Sequence, residues 1–289
     1  MKTKAVTRLV TSACLSLGLS ALPALADNHG PVTDDKIAGQ REGLANNTRG
    51  KGFGPQSPRD IDAVAGSNQM NSGVAPHYSK MNLCNIHFHE NAEHKGGEFT
   101  RYAGNGDGKG KNTGFQYTGE LSAAETAAFE GPSCPGKYGD LAPGDTIELH
   151  YVHSTAVVTP GPTLGACLSE ATQNPDLRVE AQVMVLVNDS SARDFGNLTA
   201  LGERNGFQQA LNIPGDTGMP VQYEGSTTGP GYNEIGSPLD VSWSVRPEVL
   251  KVNIASVGAW CEDNVFDEDH AHGVRNLVLN PELLSEISP

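Results

Sequence analysis

The sequence predicts a mostly β fold of the α+β class, organised as a single domain with few peripheral helices. From about Gly52 to Pro281 the chain consists of short apolar stretches interrupted by Gly, Pro, Asn and Asp, a pattern typical of β-rich domains. Helical periodicity is rare in this region. The length also favours one domain, because β sandwiches and related folds commonly reach about 250 residues.

The N-terminus predicts an exported protein. Basic residues precede an apolar run from Leu9 to Leu25, and Ala24-Leu25-Ala26 has the small-x-small pattern of a signal peptidase site. We therefore predict a signal peptide over residues 1–26, cleaved after Ala26, and a periplasmic or secreted product. No later apolar run is long enough to span a bilayer, so no membrane association is predicted.

Residues 27–51 are polar and mixed in charge with little apolar periodicity, which predicts a flexible N-terminal arm. The folded domain is predicted over residues 52–289. Its predicted strands are Met81 to His89, Phe115 to Tyr117, Thr146 to His153, Arg178 to Val187, Asp240 to Val245 and Val249 to Ser256. Its predicted helices are Ser122 to Phe129 and Asn197 to Leu211. The Gly-rich stretch 104–114 predicts a surface loop.

The charge balance excludes some partners. Removal of residues 1–26 leaves 17 basic and 34 acidic residues. An excess of negative charge this large argues against nucleic acid and anionic membrane surfaces as partners. It is also a common way to keep a secreted protein soluble, and it is compatible with a monomer or a homo-oligomer.

Cysteine content agrees with export. Cys14 belongs to the predicted signal peptide, which leaves Cys84, Cys134, Cys167 and Cys261 as an even set in an oxidising compartment. Two disulfides are predicted, although their pairing cannot be deduced from the sequence. A cysteine zinc site is disfavoured because no CxxC or CxxH spacing occurs among them.

Histidines in two predicted strands indicate a metal site. His87 and His89 are two residues apart and therefore project from the same face of a strand. His150 can face them from a neighbouring strand. Three neutral imidazoles leave a divalent ion one open position, which is typical of catalytic zinc. Asn85 and Glu148 each precede a candidate ligand by two residues, so both can orient an imidazole from behind.

The motifs around these histidines resemble those of the delta carbonic anhydrases, whose core is similar to that of the alpha class. The ligand motifs are Cys84-Asn85-Ile86-His87-Phe88-His89, Ala92-Glu93-His94 and Ile147-Glu148-Leu149-His150-Tyr151-Val152-His153. Weaker matches to alpha-class motifs are Gln56-Ser57-Pro58-Arg59-Asp60-Ile61 and Tyr223-Glu224-Gly225-Ser226-Thr227-Thr228.

The resemblance implies a central, largely antiparallel sheet that carries the metal ligands in a catalytic domain over residues 52–289. It implies that His87, His89 and His150 bind Zn²⁺, with Co²⁺ or Cd²⁺ as possible substitutes because nitrogen sites discriminate such ions poorly. The implied reaction is the reversible hydration of CO2 to bicarbonate and a proton by zinc-bound hydroxide. Thr227, ahead of Thr228, and Glu93 match the residues that orient this hydroxide.

Further residues have predicted roles near this site. Val152 shares a face with His150 and would form part of a dry wall for an apolar substrate. His77 is a candidate proton shuttle, because an imidazole titrates near neutrality. His94 and His153 alternate out of phase with the ligands, which predicts structural hydrogen bonds. His270 and His272 lie in an acidic stretch that predicts a solvated turn.

Two alternative functions remain open. His87-x-His89-xxx-Glu93 also fits the first motif of a cupin, which would bind iron or manganese with Glu93 as a direct ligand. The spacing of the later motif departs from the cupin pattern. A non-catalytic periplasmic zinc-binding protein is the second alternative, although such proteins tend to carry His-rich tracts and none is present.

Overall fold

The computed structural model describes residues 30–70, 73–134 and 139–287. The predicted signal peptide lies outside these ranges and stays a prediction. The helices are α1 Asp34–Thr48, α2 Phe195–Leu198 and α3 Ile254–Glu262. The strands are β1 Asn82–Glu90, β2 Arg101–Tyr102, β3 Phe115–Gln116, β4 Thr146–Ser154, β5 Leu177–Val187, β6 Leu201–Arg204, β7 Phe207–Ala210, β8 Val221–Ser226 and β9 Asp240–Asn253.

Five strands form the central sheet, in the order β1-β4-β5-β9-β8. Three of the four pairings are antiparallel, and β5 pairs with β9 in parallel. Two short hairpins, β2-β3 and β6-β7, lie outside this sheet. The prediction of a mostly β fold with a central, largely antiparallel sheet and few helices is therefore confirmed.

The alternation of side chains gives the sheet two different faces. On β4, Ile147, Leu149 and Tyr151 pack in a core that also contains residues of α2 and α3. The intervening residues of β4 project from the opposite face, where a second core contains Val152, Val179 and Trp243. Both faces are thus covered. The second face carries His87, His89 and His150.

The N-terminal region differs from the prediction of a flexible arm, because residues 34–48 form α1. Its buried side chains include Ile37 and Leu44, and Leu44 packs with Val278, Leu283 and Leu284. Polar side chains of α1 also donate hydrogen bonds to distant backbone carbonyls: Gln40 to Gly108 and Arg41 to Leu277. Because polar side chains provide part of these tertiary contacts, the sequence of α1 has no clear apolar periodicity. The sequence pattern therefore does not predict this helix.

The predicted helix over residues 197–211 is wrong. The chain leaves α2 at Leu198 and forms the β6-β7 hairpin, whose turn contains Asn205 and Gly206, both with positive φ. Asn-Gly is the preferred pair for such a two-residue turn.

The predicted helix over residues 122–129 is wrong as well. Its segment is a single turn closed by reciprocal hydrogen bonds, in which Ser122 N donates to Glu125 Oε2 and Glu125 N donates to Ser122 Oγ. This is a capping arrangement that the chain does not extend into a helix.

The predicted strands at residues 240–245 and 249–256 are one continuous strand, β9, followed by α3. A register shift between Gln182 and Met184 on β5 accommodates the interruption around Pro247. The side chain of Asn253 accepts a hydrogen bond from Ala255 N and so caps α3, which takes the last residues of the predicted strand into a helix.

The four cysteines form two disulfides, Cys84–Cys167 and Cys134–Cys261. The first joins β1 to a short turn at residues 164–167, and the second joins a loop to α3. None of the helices in the described ranges has the length and hydropathy needed to cross a membrane.

Candidate metal centre

The structure brings His87, His89 and His150 together. His87 and His89 project from one face of β1, and His150 on β4 pairs directly with His87. One ring nitrogen from each of the three lies within 4.8 Å of the other two. His89 and His150 are almost completely buried. The strand alternation that predicted this cluster is therefore the geometry that forms it.

The outward-facing nitrogen of each ring is held by an acceptor. His87 Nδ1 lies 2.7 Å from Asn85 Oδ1, His89 Nδ1 lies 2.9 Å from the Gly273 carbonyl, and His150 Nε2 lies 3.1 Å from Glu148 Oε1. Because these oxygens accept hydrogen bonds, each of those nitrogens carries the proton. The Asn85 amide is itself oriented, since its Nδ2 donates to Gly161 O.

The opposite nitrogens therefore present lone pairs to a common point. His150 Nδ1 lies 3.3 Å from His87 Nε2, and His89 Nε2 is buried with no hydrogen-bond partner among the described residues. An unpartnered buried nitrogen is costly unless something binds it. Three neutral imidazoles with fixed tautomers are the donor set of a catalytic zinc site, so the residues fit such an ion.

Burial keeps these imidazoles neutral. It lowers the pKa of His89 to about 3. Burial and the neighbouring His150 hold the pKa of His87 well below its usual value. Burial also lowers the pKa of His150, against the opposing effect of Glu148. All three rings are thus deprotonated at neutral pH, as metal binding requires.

Glu148 is held by several donors at once. Its Oε2 accepts from the backbone N–H groups of Glu93 at 2.6 Å and His94 at 3.1 Å, and Oε1 lies 2.6 Å from His94 Nδ1. Burial alone would raise the pKa of this carboxyl, but His94 and His150 hold it well below the usual value. Glu148 is therefore a carboxylate of fixed orientation. The predicted structural role of His94 agrees with this contact, and its Nε2 lies 2.7 Å from Tyr223 Oη.

Glu93 is fully buried, and its Oε1 accepts a hydrogen bond from Arg275 N at 3.3 Å. Burial raises the pKa of this carboxyl. The carboxylate lies 3.5 Å from His89 Nδ1, the nitrogen that is already bound to Gly273, and it is not among the atoms that converge at the metal centre. The position of a direct ligand, which the cupin alternative requires, is therefore not occupied by Glu93.

The two adjacent threonines have different contacts. The Thr227 hydroxyl lies 2.6 Å from Ser237 Oγ and is turned toward that residue. Thr228 instead interacts with Glu93 and lowers the pKa of its carboxyl, although the contact falls short of an ordinary hydrogen bond. We therefore propose Thr228 ahead of Thr227 as the residue that orients the reacting oxygen. The physical reason is that the Thr227 hydroxyl already has a hydrogen-bond partner in Ser237.

A cavity of about 350 Å³ opens from the histidine cluster. Its lining includes the apolar side chains of Val152, Leu177, Val179, Val241 and Trp243. It also includes the polar side chains of Lys109, Lys111, Glu268, His270 and His272. The cavity therefore combines apolar and charged groups with the same three histidines.

His77 is not placed at this cavity. It begins a short turn, where its Nδ1 lies 2.9 Å from Ser79 Oγ and its ring lies at a tilt beside that of Tyr78, with centroids 4.4 Å apart. His272 lies there instead, with its ring centroid 5.5 Å from that of His87. The segment around His272 runs beside β1, with His272 N bonded to Phe88 O and Glu90 N bonded to His272 O. No local motif indicates this pairing, so the sequence could not place His272 or the Gly273 carbonyl.

The other predicted residues have structural positions. His153 is fully buried, and its Nδ1 donates to the Tyr151 carbonyl. A second cluster of His94, Glu148 and His150 satisfies the distances of a metal site, but its members already hydrogen-bond one another. That proximity is explained without an ion.

Comparison with known proteins assigns the chain to a family. The family model for the delta carbonic anhydrases matches residues 78–256, which is more than half of the chain and includes all three clustered histidines. No curated protein matches the sequence significantly.

Among solved structures, the chain is similar to a hyperthermostable carbonic anhydrase from an active hydrothermal vent chimney, with 13% identity, a TM-score of 0.32 and coverage of 78% of this chain and 85% of the other. It is also similar to the alpha-carbonic anhydrase of Photobacterium profundum, with 18% identity, a TM-score of 0.27 and coverage of 85% and 95%. A third is the alpha-carbonic anhydrase of Thermovibrio ammonificans in complex with the inhibitor sulfanilamide, with 16% identity, a TM-score of 0.27 and coverage of 77% and 84%. Scores this low support no argument, so the family rests on the sequence match.

Proposed function

The chain belongs to the delta carbonic anhydrase family, and from this premise we propose that it is a zinc enzyme that interconverts CO2 and bicarbonate. The observation that carries the proposal is the convergence of His87 Nε2, His89 Nε2 and His150 Nδ1 at one end of a cavity. A three-nitrogen donor set leaves one position of a tetrahedral ion open for solvent. Cobalt and cadmium are expected to substitute, because such sites discriminate poorly between these ions.

His87, His89 and His150 would hold the ion, and Asn85, Gly273 and Glu148 would fix the ring orientations. When bound, zinc lowers the pKa of a coordinated water from 15.7 to about 7, a value established for carbonic anhydrase itself, and so supplies a nucleophile at neutral pH. The buried Glu148 carboxylate makes the His150 ring a more basic ligand, because it accepts the proton-bearing nitrogen of that ring.

Thr228 and Glu93 are proposed to orient the reacting oxygen. The Thr228 hydroxyl would donate a hydrogen bond to the Glu93 carboxylate, whose Oε2 has no hydrogen-bond partner among the described residues. The Thr228 oxygen would then accept a hydrogen bond from the nucleophile. This hydrogen bond would direct a lone pair of the nucleophile at the substrate. Arg275 N, bonded to the same carboxylate, keeps Glu93 in place.

The apolar wall suits a small substrate without charge. Val152, Val179 and Trp243 exclude water from the space beside the histidines, which favours CO2 and strengthens the electrostatic interactions of the site. The charged side chains that line the same cavity would interact with the leaving bicarbonate. No contact with nucleic acid or a membrane is part of this proposal.

The two disulfides suggest an oxidising, extracellular location. Together with the predicted signal peptide, they support the proposal that the mature enzyme works in the periplasm or outside the cell, where it would supply bicarbonate or control pH.

The experiment that tests the function is stopped-flow CO2 hydration by the mature protein, with its zinc content measured beforehand. We expect hydration that rises in proportion to zinc occupancy, falls when zinc is removed by a chelator and is absent in His150→Ala. The matched control is Lys80→Gln, an exposed change away from the cavity. A protein that binds stoichiometric zinc and does not hydrate CO2 would point to the non-catalytic zinc-binding alternative, and bound iron or manganese would favour the cupin alternative.

A further inference from the structure

The Gly-rich loop 104–114 brings two cations to the wall of the cavity. Lys109 and Lys111 both line it, with Gly110 between them. Val274 N donates to the Gly110 carbonyl at 2.7 Å, and the preceding residue, Gly273, provides the carbonyl that holds His89. The two lysines therefore flank a backbone contact that is one residue from an anchor of the metal centre.

Specific contacts fix the backbone of this loop. Asp107 Oδ1 accepts from Lys109 N at 2.8 Å and from Lys111 N at 3.0 Å. Gln40 of α1 donates to the Gly108 carbonyl at 2.8 Å. Gly110 has a positive φ of 113°, and a Cβ there would lie 2.8 Å from the Val274 carbonyl oxygen. The loop is thus held against the cavity, and both lysine positions are held with it.

The charge of the whole chain makes this placement informative. With 34 acidic and 20 basic residues, the net charge of −14 opposes the approach of any anion. Cations at the mouth of a cleft reverse the sign of the local field and raise the local concentration of anions. Neutral CO2 gains nothing from such a field, whereas bicarbonate does.

Two carboxylates close to this loop differ in whether they interact with the lysines. Glu268 Oε2 lies 2.6 Å from His272 Nε2. Lys111 acts on Glu90, because it lowers the pKa of that carboxyl against the larger raising effect of burial. Part of the Lys111 charge is therefore shared with Glu90, and Lys109 is expected to contribute the larger part of the attraction for an anion.

We propose that Lys109 and Lys111, which line the cavity and of which Lys109 is exposed, form a cationic entry site for bicarbonate. The site attracts the anion toward the metal centre during dehydration and holds it briefly on its way out during hydration. This inference rests on the proposed function, since it assigns the charged wall to the anionic partner of that reaction.

The test measures anion affinity directly in the cobalt-substituted protein, whose visible spectrum reports ligands of the metal. Thiocyanate is titrated at about 10 mM and about 200 mM ionic strength, between which the Debye screening length differs several-fold. The variants are Lys109→Gln, Lys111→Gln, their combination, and the reversal Lys109→Glu/Lys111→Glu. The matched control is Lys51→Gln/Lys80→Gln, which removes the same charge away from the cavity. Neutral imidazole at high pH serves as an uncharged probe.

We expect the double glutamine variant to bind thiocyanate about three- to tenfold more weakly at low ionic strength, with the reversal weaker still and Lys109→Gln giving the larger single effect. The loss should shrink at high ionic strength, and imidazole affinity should not change. Equal thiocyanate affinity and equal salt dependence in the wild type, the double variant and the control would overturn the entry site alone. A wild type that binds cobalt but shows no CO2 hydration, or that binds no metal, would overturn the proposed function and this inference with it.

Discussion

Thr227 and Thr228 are adjacent, yet their hydroxyl groups have different surroundings. The Thr227 hydroxyl lies 2.6 Å from Ser237 Oγ, whereas Thr228 lies near enough to the buried Glu93 to lower the pKa of that carboxyl. We expect Thr228→Ala to retain zinc and to lower CO2 hydration on the order of 10²-fold, because an oriented hydrogen bond to the reacting oxygen is lost. Turnover and zinc content, measured on the same preparation, check this.

Thr227→Ala is the control for this prediction. It removes a hydroxyl of the same kind from the same loop and should cost stability through Ser237 while leaving turnover within a few-fold of wild type. Thr228→Ser, which keeps the hydroxyl, should restore most of the rate. If Thr227→Ala were the slow variant, the original ranking would be right and the Glu93 contact would have no part in catalysis.

Glu148 is the residue behind His150, and its charge can be removed with little change in shape. Glu148→Gln should weaken zinc binding about 10- to 100-fold, because the His150 ring that Glu148 supports becomes a less basic ligand. Competition with a chelator of known zinc affinity measures this. Glu180→Gln is a matched control, because Glu180 is also buried but pairs with Arg178. Equal zinc affinities in the two variants would contradict a role for Glu148 in ligand orientation.

The strength of sequence reasoning at this scale depends on whether partners are local. His87, His89 and Glu148 could be placed because strand alternation relates residues two apart. Gly273 and His272 could not be placed, because their contacts join segments far apart in the chain through backbone atoms. Ser237 could not be placed, because its contact with Thr227 is a single pair of hydroxyl groups that no sequence motif indicates. The metal cluster was predictable, and the groups that tune it were only partly so.

At the scale of elements, the Cys84–Cys167 disulfide supports the cavity. It joins β1 to the turn that begins after Thr163, and Gly161 in the same segment accepts a hydrogen bond from Asn85. We expect Cys84→Ser/Cys167→Ser to lose about 2–5 kcal/mol of stability and also to weaken zinc binding, because Asn85 loses its anchor.

Cys134→Ser/Cys261→Ser provides the comparison, since this disulfide joins a loop to α3 in the other core. It should reduce stability by a similar amount and leave zinc affinity close to that of the wild type. Thermal unfolding and chelator competition separate the two effects. Equal losses of zinc affinity in both double variants would show that the disulfides act only through global stability.

Elements were predicted well where periodicity is strong. β1, β4 and β5 are apolar on at least one face and lie within a residue or so of their predicted bounds. The elements that were missed depend on other physics. α1 is held by buried Ile37 and Leu44 together with side-chain hydrogen bonds to distant carbonyls, and the β6-β7 hairpin depends on the Asn205-Gly206 turn. Propensity is overridden by such tertiary contacts.

At the scale of the whole molecule, buried neutral histidines make stability depend on pH. Burial lowers the pKa of His153 to about 3, against an ordinary value of 6.5. The unfolded chain therefore binds a proton at this residue over a range in which the folded chain does not, so stability rises with pH between about 3 and 6.5 and is lost as pH falls. At pH 4 the free energy of unfolding is lower than at neutral pH by roughly 3 kcal/mol because of this residue.

His153→Gln should therefore unfold with a shallower dependence on pH than the wild type below about pH 6.5. The measurement is the unfolding free energy of both proteins, freed of metal, at a series of pH values. The other buried histidines titrate in both proteins, so the difference between the two curves isolates His153. Parallel curves would mean that His153 is protonated equally in the folded and unfolded chain.

The position of α1 has a consequence for the order of events during synthesis. A ribosome releases the N-terminal residues first, yet α1 rests on carbonyls of residues 108 and 277 and packs against Val278 and Leu283. The helix therefore has no docking surface until nearly the whole chain has emerged. The loop that carries Lys109 and Lys111 accepts the hydrogen bond from Gln40 only after the same event, so this part of the cavity wall gains that support late in folding.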